Sequence, residues 1–158
     1  MHYENNWASL NARPVPAWFE DAKFGIFAHW GIYSVPSFAA RTEYAEWYGY
    51  NVLSKTENAT TAFHNRIYGS RKQYADFVGD FHAELFDPDE WAEIFQRSGA
   101  RYFNLTSKHH DGFCLFRSKY AWNWNSVDVG PHRDFCAELS EALSKTDVRF
   151  GVYHSVYE

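Results

Sequence analysis

Three short apolar runs, separated by helix-like segments, constrain the fold of this chain more than any other feature. Lys23-Phe24-Gly25-Ile26-Phe27-Ala28-His29-Trp30-Gly31, Tyr102-Phe103-Asn104-Leu105-Thr106-Ser107 and Arg149-Phe150-Gly151-Val152-Tyr153-His154-Ser155 read as strands. The first is apolar at consecutive positions, so both of its faces meet protein, as in a buried parallel sheet. A helix starts at Asp87-Pro88-Asp89-Glu90. Asp87 can cap it, Pro88 suits the first helical position and Glu90 completes a capping-box pattern. Trp91, Ile94 and Phe95 share one face at helical spacing, and Gly99 supplies the stop. A second helix lies near Phe135–Lys145, with Phe135, Leu139, Ala142 and Leu143 as its buried stripe. Residues 1–22 read as irregular. Residues 32–73, rich in Tyr, Asn, Thr and Ser, read as a long connection of a length usually kept for function. The order strand, loop, helix, strand, loop, helix, strand specifies right-handed parallel βαβ units, hence an α/β fold.

In such a sheet the C-terminal strand ends share one edge, where α/β proteins place their sites. Each run passes from apolar residues into His or Tyr, so His29, His109, His110, Tyr153 and His154 are expected to gather there. His2, His64, His82 and His132 have no such position and are read as structural. The chain has 158 residues. That suits one ordinary domain but falls short of a complete (β/α)₈ barrel, which takes about 250.

Fifteen Lys and Arg against twenty Asp and Glu leave a net charge of −5. There is no basic stripe of the kind that nucleic-acid binding needs. No run of about 18 apolar residues is present, so no membrane-spanning helix is expected. The first residues lack a basic n-region and an apolar h-region, so no signal peptide is expected in the chain. Cys114 and Cys136 make neither a disulfide framework nor a zinc spacing.

The chain carries 7 Trp, 11 Tyr and 14 Phe, many beside His, Asn, Gly and Glu. Such rings either build a core of large side chains or wall a polar pocket, as in sugar sites where ring faces cover C–H faces. Two chemistries compete for the histidine cluster. A metal centre wants several imidazoles and a carboxylate at fixed spacing. Barrel metallohydrolases present two His one residue apart on the first strand, whereas this chain has only His29-Trp30-Gly31. His109 and His110 would point to opposite faces of a regular strand, and share a pocket only if the strand ends before them. No metal ligand set and no cofactor are expected.

The alternative is a site that reads hydroxyl groups, with imidazoles as donors and acceptors and Trp30, Trp47 or Tyr153 as walls. Glu46-Trp47 fits it as a carboxylate beside a ring, or else staples the long loop to the surface. Asp111 reads as part of an Asp-Gly turn and as a candidate pocket carboxylate. Cys114 reads as a small buried hydrophobe, not a nucleophile. Asn58-Ala59-Thr60 has the glycosylation pattern in a loop, and Asn104-Leu105-Thr106 has it inside a strand, where a glycan would not fit.

These residues resemble the α-L-fucosidases of glycoside hydrolase family 29. The resemblance lies in Trp18-Phe19, in residues 23–31 with Tyr33-Ser34-Val35-Pro36, in Ala45-Glu46-Trp47-Tyr48 and in residues 86–91. It continues through Lys108-His109-His110-Asp111-Gly112-Phe113, Trp124-Asn125-Ser126, residues 130–134 and residues 151–155. What it implies is a retaining exo-glycosidase that removes terminal α-L-fucose from glycans and glycoproteins, with no cofactor. It implies the N-terminal part, about three βα units, of an irregular (β/α)₈ TIM-like barrel, with residues 1–158 as an incomplete portion of the catalytic domain. His29, Glu46, Trp47, His109, His110 and Tyr153 match positions that bind fucose hydroxyls or line its pocket. The family often has Tyr-Tyr where this chain has Tyr153-His154. Retaining hydrolysis uses two carboxylates about 5–5.5 Å apart. In the family both follow later strands, so none is expected within this chain, with Glu46 alone a candidate auxiliary acid/base. Lysosomal or secreted placement and a homo-oligomeric full-length enzyme are further implications. The rivals are a non-catalytic fucose-binding module, which shares the pocket but needs no carboxylate pair, and a metal-dependent barrel hydrolase.

Overall fold

The computed structural model describes residues 2–54 and 56–157. Its centre is a three-stranded parallel sheet in the order β1 (Gly25–Ala28), β2 (Tyr102–Lys108), β3 (Arg149–His154). β1 is shorter than the apolar run suggests, so His29, Trp30 and Gly31 lie beyond its end. Gly25 faces Tyr102 across the β1–β2 pair. A Cβ at Gly25 would stand 2.2 Å from the Tyr102 ring, so this close approach requires glycine.

Helices α5 (Pro88–Arg97) and α6 (Phe135–Leu143) supply the crossovers and pack against each other. Asp87 caps α5 by accepting from the backbone N–H of Asp89 and Glu90. Asp134 caps α6 by accepting from Ala137 N. The α6 stripe is buried as expected, at Phe135, Leu139, Ala142 and Leu143. The α5 stripe differs: Ala92 and Phe95 are buried, while Ile94 is 52% exposed. Phe95 stacks on Phe103 at 4.1 Å, and Phe103 and Leu105 are fully enclosed on the helix-covered face of β2.

Two stretches read as unstructured are in fact folded. Residues 1–22 contain α1 (Trp7–Asn11) and α2 (Ala17–Ala22). Both are too short to show a helical period, and helices of that length depend on packing. Trp18 and Phe19 of α2 lie against Tyr102 at 6.2 and 5.6 Å. The long connection holds α3 (Tyr48–Leu53), α4 (Ala59–Ile67) and short 3-10 segments at Ile32–Ser34 and Ala45–Trp47, and a further 3-10 segment, Tyr74–Asp80, follows it. Phe38 stacks on Phe63 at 3.8 Å. Buried His64 accepts from the Tyr48 hydroxyl at 2.9 Å and donates to the Lys72 carbonyl at 2.9 Å. His64 is therefore structural, as expected.

Most of the aromatic side chains build the core. Tyr48, Phe77, Phe103 and Phe135 are fully buried. Trp30, expected as a pocket wall, instead packs among Phe81, Phe86, Trp91 and Phe135 at 4.7–5.3 Å. The loop between β2 and α6 is pinned by Asn125, fully buried and bonded to Ala121 O, Asp128 and the N–H groups of Val127 and Asp128. Arg133 ties that loop to Glu138 and to the Phe86 carbonyl.

Candidate functional site

Parallel order puts the three strand ends on one edge, and the end of β2 shapes what gathers there. β2 stops at Lys108, and its register with β3 shifts between Thr106 and Lys108. Gly112 N then donates to His109 O at 3.1 Å, closing a turn in which Gly112 has φ +75. Freed from strand alternation, His109 and His110 come to lie with ring centroids 4.6 Å apart.

His29, one residue past β1, stands 5.4 Å from the His109 ring and 6.1 Å from Tyr153. Trp47, at the end of the Ala45–Trp47 turn, stands 6.1 Å from His109 and 4.9 Å from His110. Glu46 in the same turn completes a cluster in which donor atoms of His29, Glu46 and His109 all lie within 4.8 Å of one another. The six expected residues thus occupy one edge. His154 does not join them: its ring lies 6.0 Å from Phe116, and its Nδ1 is 3.3 Å from Ser107 Oγ.

The protonation states follow from the surroundings. His109 is only 5% exposed. Burial first, then His110 and His29, push its pKa down to about 4, against the pull of Glu46. At neutral pH its imidazole therefore offers one N–H and one lone pair, and its Nδ1 is buried without a hydrogen-bond partner. His110 Nδ1 lies 2.9 Å from the Tyr157 carbonyl and 2.7 Å from Ser155 Oγ, while the Ser155 hydroxyl itself donates to Tyr157 O. A carbonyl only accepts, so His110 Nδ1 carries the hydrogen, and in the neutral ring Nε2 keeps the lone pair.

Asp111 does both things read from its sequence. It sits in the turn, and its half-buried carboxylate accepts from Tyr74 OH at 2.7 Å and from Phe113 N at 3.1 Å. Burial raises its pKa despite those bonds. Glu46, Trp47, His110 and Asp111 also line a cavity of about 720 Å³ with Tyr50 and Tyr74, within the size range of small-molecule pockets.

Sequence reasoning passed over three neighbours. Phe27 lies 4.6 Å from His29 and 5.8 Å from Tyr153; its place two residues before His29 in the same apolar run was the available signal. Tyr33 is buried 5.6 Å from His109. Tyr74 reaches Asp111 from 37 residues away, which no local pattern announces. Cys114 is buried with its Sγ against the Gly112 carbonyl at 3.7 Å, and Cys136 is half-buried. Asn58 caps α4 by accepting from Thr61 N, and its amide donates to Asn51 O, so this sequon side chain is engaged in the fold.

The donors that could hold a metal ion, His29, Glu46 and His109, come from three separate segments. A search for two His at close spacing does not find such a set.

Residues 1–158 match the family model described as alpha-L-fucosidase. The tissue alpha-L-fucosidase of Rattus norvegicus is 46% identical over 157 residues, covering 99% of this chain and 33% of that protein. An alpha-L-fucosidase of Branchiostoma floridae is 48% identical, covering 99% and 34%. Among solved structures, a Thermotoga maritima alpha-fucosidase in complex with fucose superposes with a TM-score of 0.89 at 47% identity, covering 98% of this chain and 37% of that one. The chain therefore spans about a third of the length of the curated relatives it matches.

Proposed function

Because the chain belongs to the alpha-L-fucosidase family, we propose that its strand-end cluster is the sugar-holding part of a retaining exo-α-L-fucosidase. The observation that carries this reading is the meeting of His29, Glu46 and His109 within 4.8 Å beside the Trp47 ring. A deoxyhexose offers hydroxyls that both donate and accept. His109, as a neutral imidazole, answers both roles; His110 Nε2 and the Glu46 carboxylate accept. The rings of Trp47 and Tyr153 cover the sugar's C–H surface. A Thermotoga maritima relative solved in complex with fucose supports fucose as the sugar.

In this reading residues 1–158 are the first three strands, with their two crossover helices, of a (β/α)₈ barrel whose catalytic carboxylates lie outside them. Among the described residues the cluster holds one carboxylate, Glu46, while Asp111 is turned to Tyr74 and Phe113. Double displacement needs two, one as nucleophile and one as acid then base; Glu46 has at most an auxiliary acid/base role. The substrates are fucosylated glycans or glycoproteins, and the whole enzyme acts in a lysosome or outside the cell.

The assay is hydrolysis of an aryl α-L-fucoside by the 158-residue chain and by the product of the complete coding sequence. We expect no turnover from the former and turnover from the latter. Robust hydrolysis by the 158-residue chain would contradict the division of labour. A coding sequence whose product binds L-fucose without turnover would replace this reading with that of a fucose-binding module.

A further inference from the structure

We propose that His29, Glu46 and His109 also chelate a divalent transition-metal cation of the zinc class, and that this cation and the sugar exclude one another. Two imidazoles and a carboxylate suit zinc, copper or nickel and discriminate against magnesium and calcium, which take oxygen ligands. Three protein ligands leave a fourth position for water, the arrangement of open zinc sites.

The donor atoms lie within 4.8 Å of one another. Zinc holds its nitrogen and oxygen ligands at about 2.0–2.2 Å, so donors around one ion stand roughly 3–3.5 Å apart. His29 is exposed and Glu46 half-buried, so both can turn toward His109, which is fixed between Tyr33 and Trp47.

A second observation points to a ligand independently of the spacing. His109 is 5% exposed, and its Nδ1 has no hydrogen-bond partner. A buried polar atom left unpaired is a standing cost, and a ligand seated against the ring recovers it. The spacing argument against a metal does not reach this donor set, because no two of its members are close in sequence. Chelation stands on the geometry alone; the exclusion of sugar rests on the sugar-holding reading.

The test is calorimetric titration of zinc chloride into the full chain, into Glu46→Gln and into His29→Ala, each with and without L-fucose. Neither substituted side chain belongs to the core, and circular dichroism melts check that the variants fold. Cobalt(II) chloride added to the unsubstituted chain gives a visible absorption band for a four-coordinate ion with nitrogen ligands and needs no variant.

The expected result is one zinc per chain, affinity at least tenfold weaker in each variant, and apparent zinc affinity falling as L-fucose is raised. Absence of stoichiometric zinc and of the cobalt band overturns the proposal, as does zinc binding unchanged in both variants. L-fucose binding without zinc binding refutes chelation and leaves the sugar reading standing. Zinc binding without any L-fucose binding refutes the sugar reading and leaves chelation standing. Independent binding of both refutes the exclusion.

Discussion

His109 is the residue on which the cluster turns, and its burial makes it sensitive to acid. It is faced by His29 from the end of β1, by Glu46 and Trp47 from their turn, by Tyr33, by Tyr153 of β3 and by its neighbour His110. Its pKa is about 4 in the fold and 6.5 without it. Between those values the unfolded chain binds more protons, so this residue's contribution to stability is present above pH 6.5 and is lost as pH falls toward 4. Asp111 acts in the opposite sense, since burial raises its folded pKa and favours the protonated fold. Urea midpoints at pH 7, 5.5 and 4.5 isolate the His109 part. The unsubstituted chain is expected to lose stability on acidification more steeply than His109→Gln; equal slopes would show that the imidazole does not titrate as its burial dictates.

At the scale of elements, the caps and stripes decide which helices form and how firmly. Asp87→Ala removes the acceptor for two N–H groups at the start of α5 and is expected to cost about 1 kcal/mol. Urea denaturation measures this, and L-fucose affinity should not change, because α5 covers the face of the sheet that carries Phe103. A loss of sugar affinity with stability intact would mean that α5 positions the site. The elements also show how far the sequence could be read. α6 is legible residue by residue, since its stripe is unbroken and its cap is Asp134. The α5 stripe misleads at Ile94, which is half exposed, while the smaller Ala92 is buried. α1 to α4 are not legible: they are short, and they are held by contacts such as Phe38–Phe63 and Tyr48–His64 that link distant positions. His29, His109, His110 and Tyr153 are legible because topology alone delivers strand ends to one edge, whereas Glu46 and Trp47, on the connection after β1, are legible only as a carboxylate beside a ring. Trp30 and His154 are the exceptions, one drawn into the core and the other turned toward Phe116.

At the scale of the molecule, β1 and β3 are both edge strands of a three-stranded sheet. Phe27 is 49% exposed, and Tyr153 and Val152 remain substantially exposed on β3. Relatives of about three times this length carry further chain, consistent with a sheet that continues past β3 in the proposed barrel. In the proposed function, the three strand ends and the Glu46–Trp47 turn together form a stereospecific holder for α-L-fucose. Calorimetric titration of the 158-residue chain with L-fucose, and with D-fucose as its mirror image, tests that most directly. The account predicts saturable heat with L-fucose, none with D-fucose, and at least a tenfold weaker L-fucose affinity in Glu46→Ala. Equal responses to the two enantiomers, or no saturable response to L-fucose from a folded chain, would contradict it.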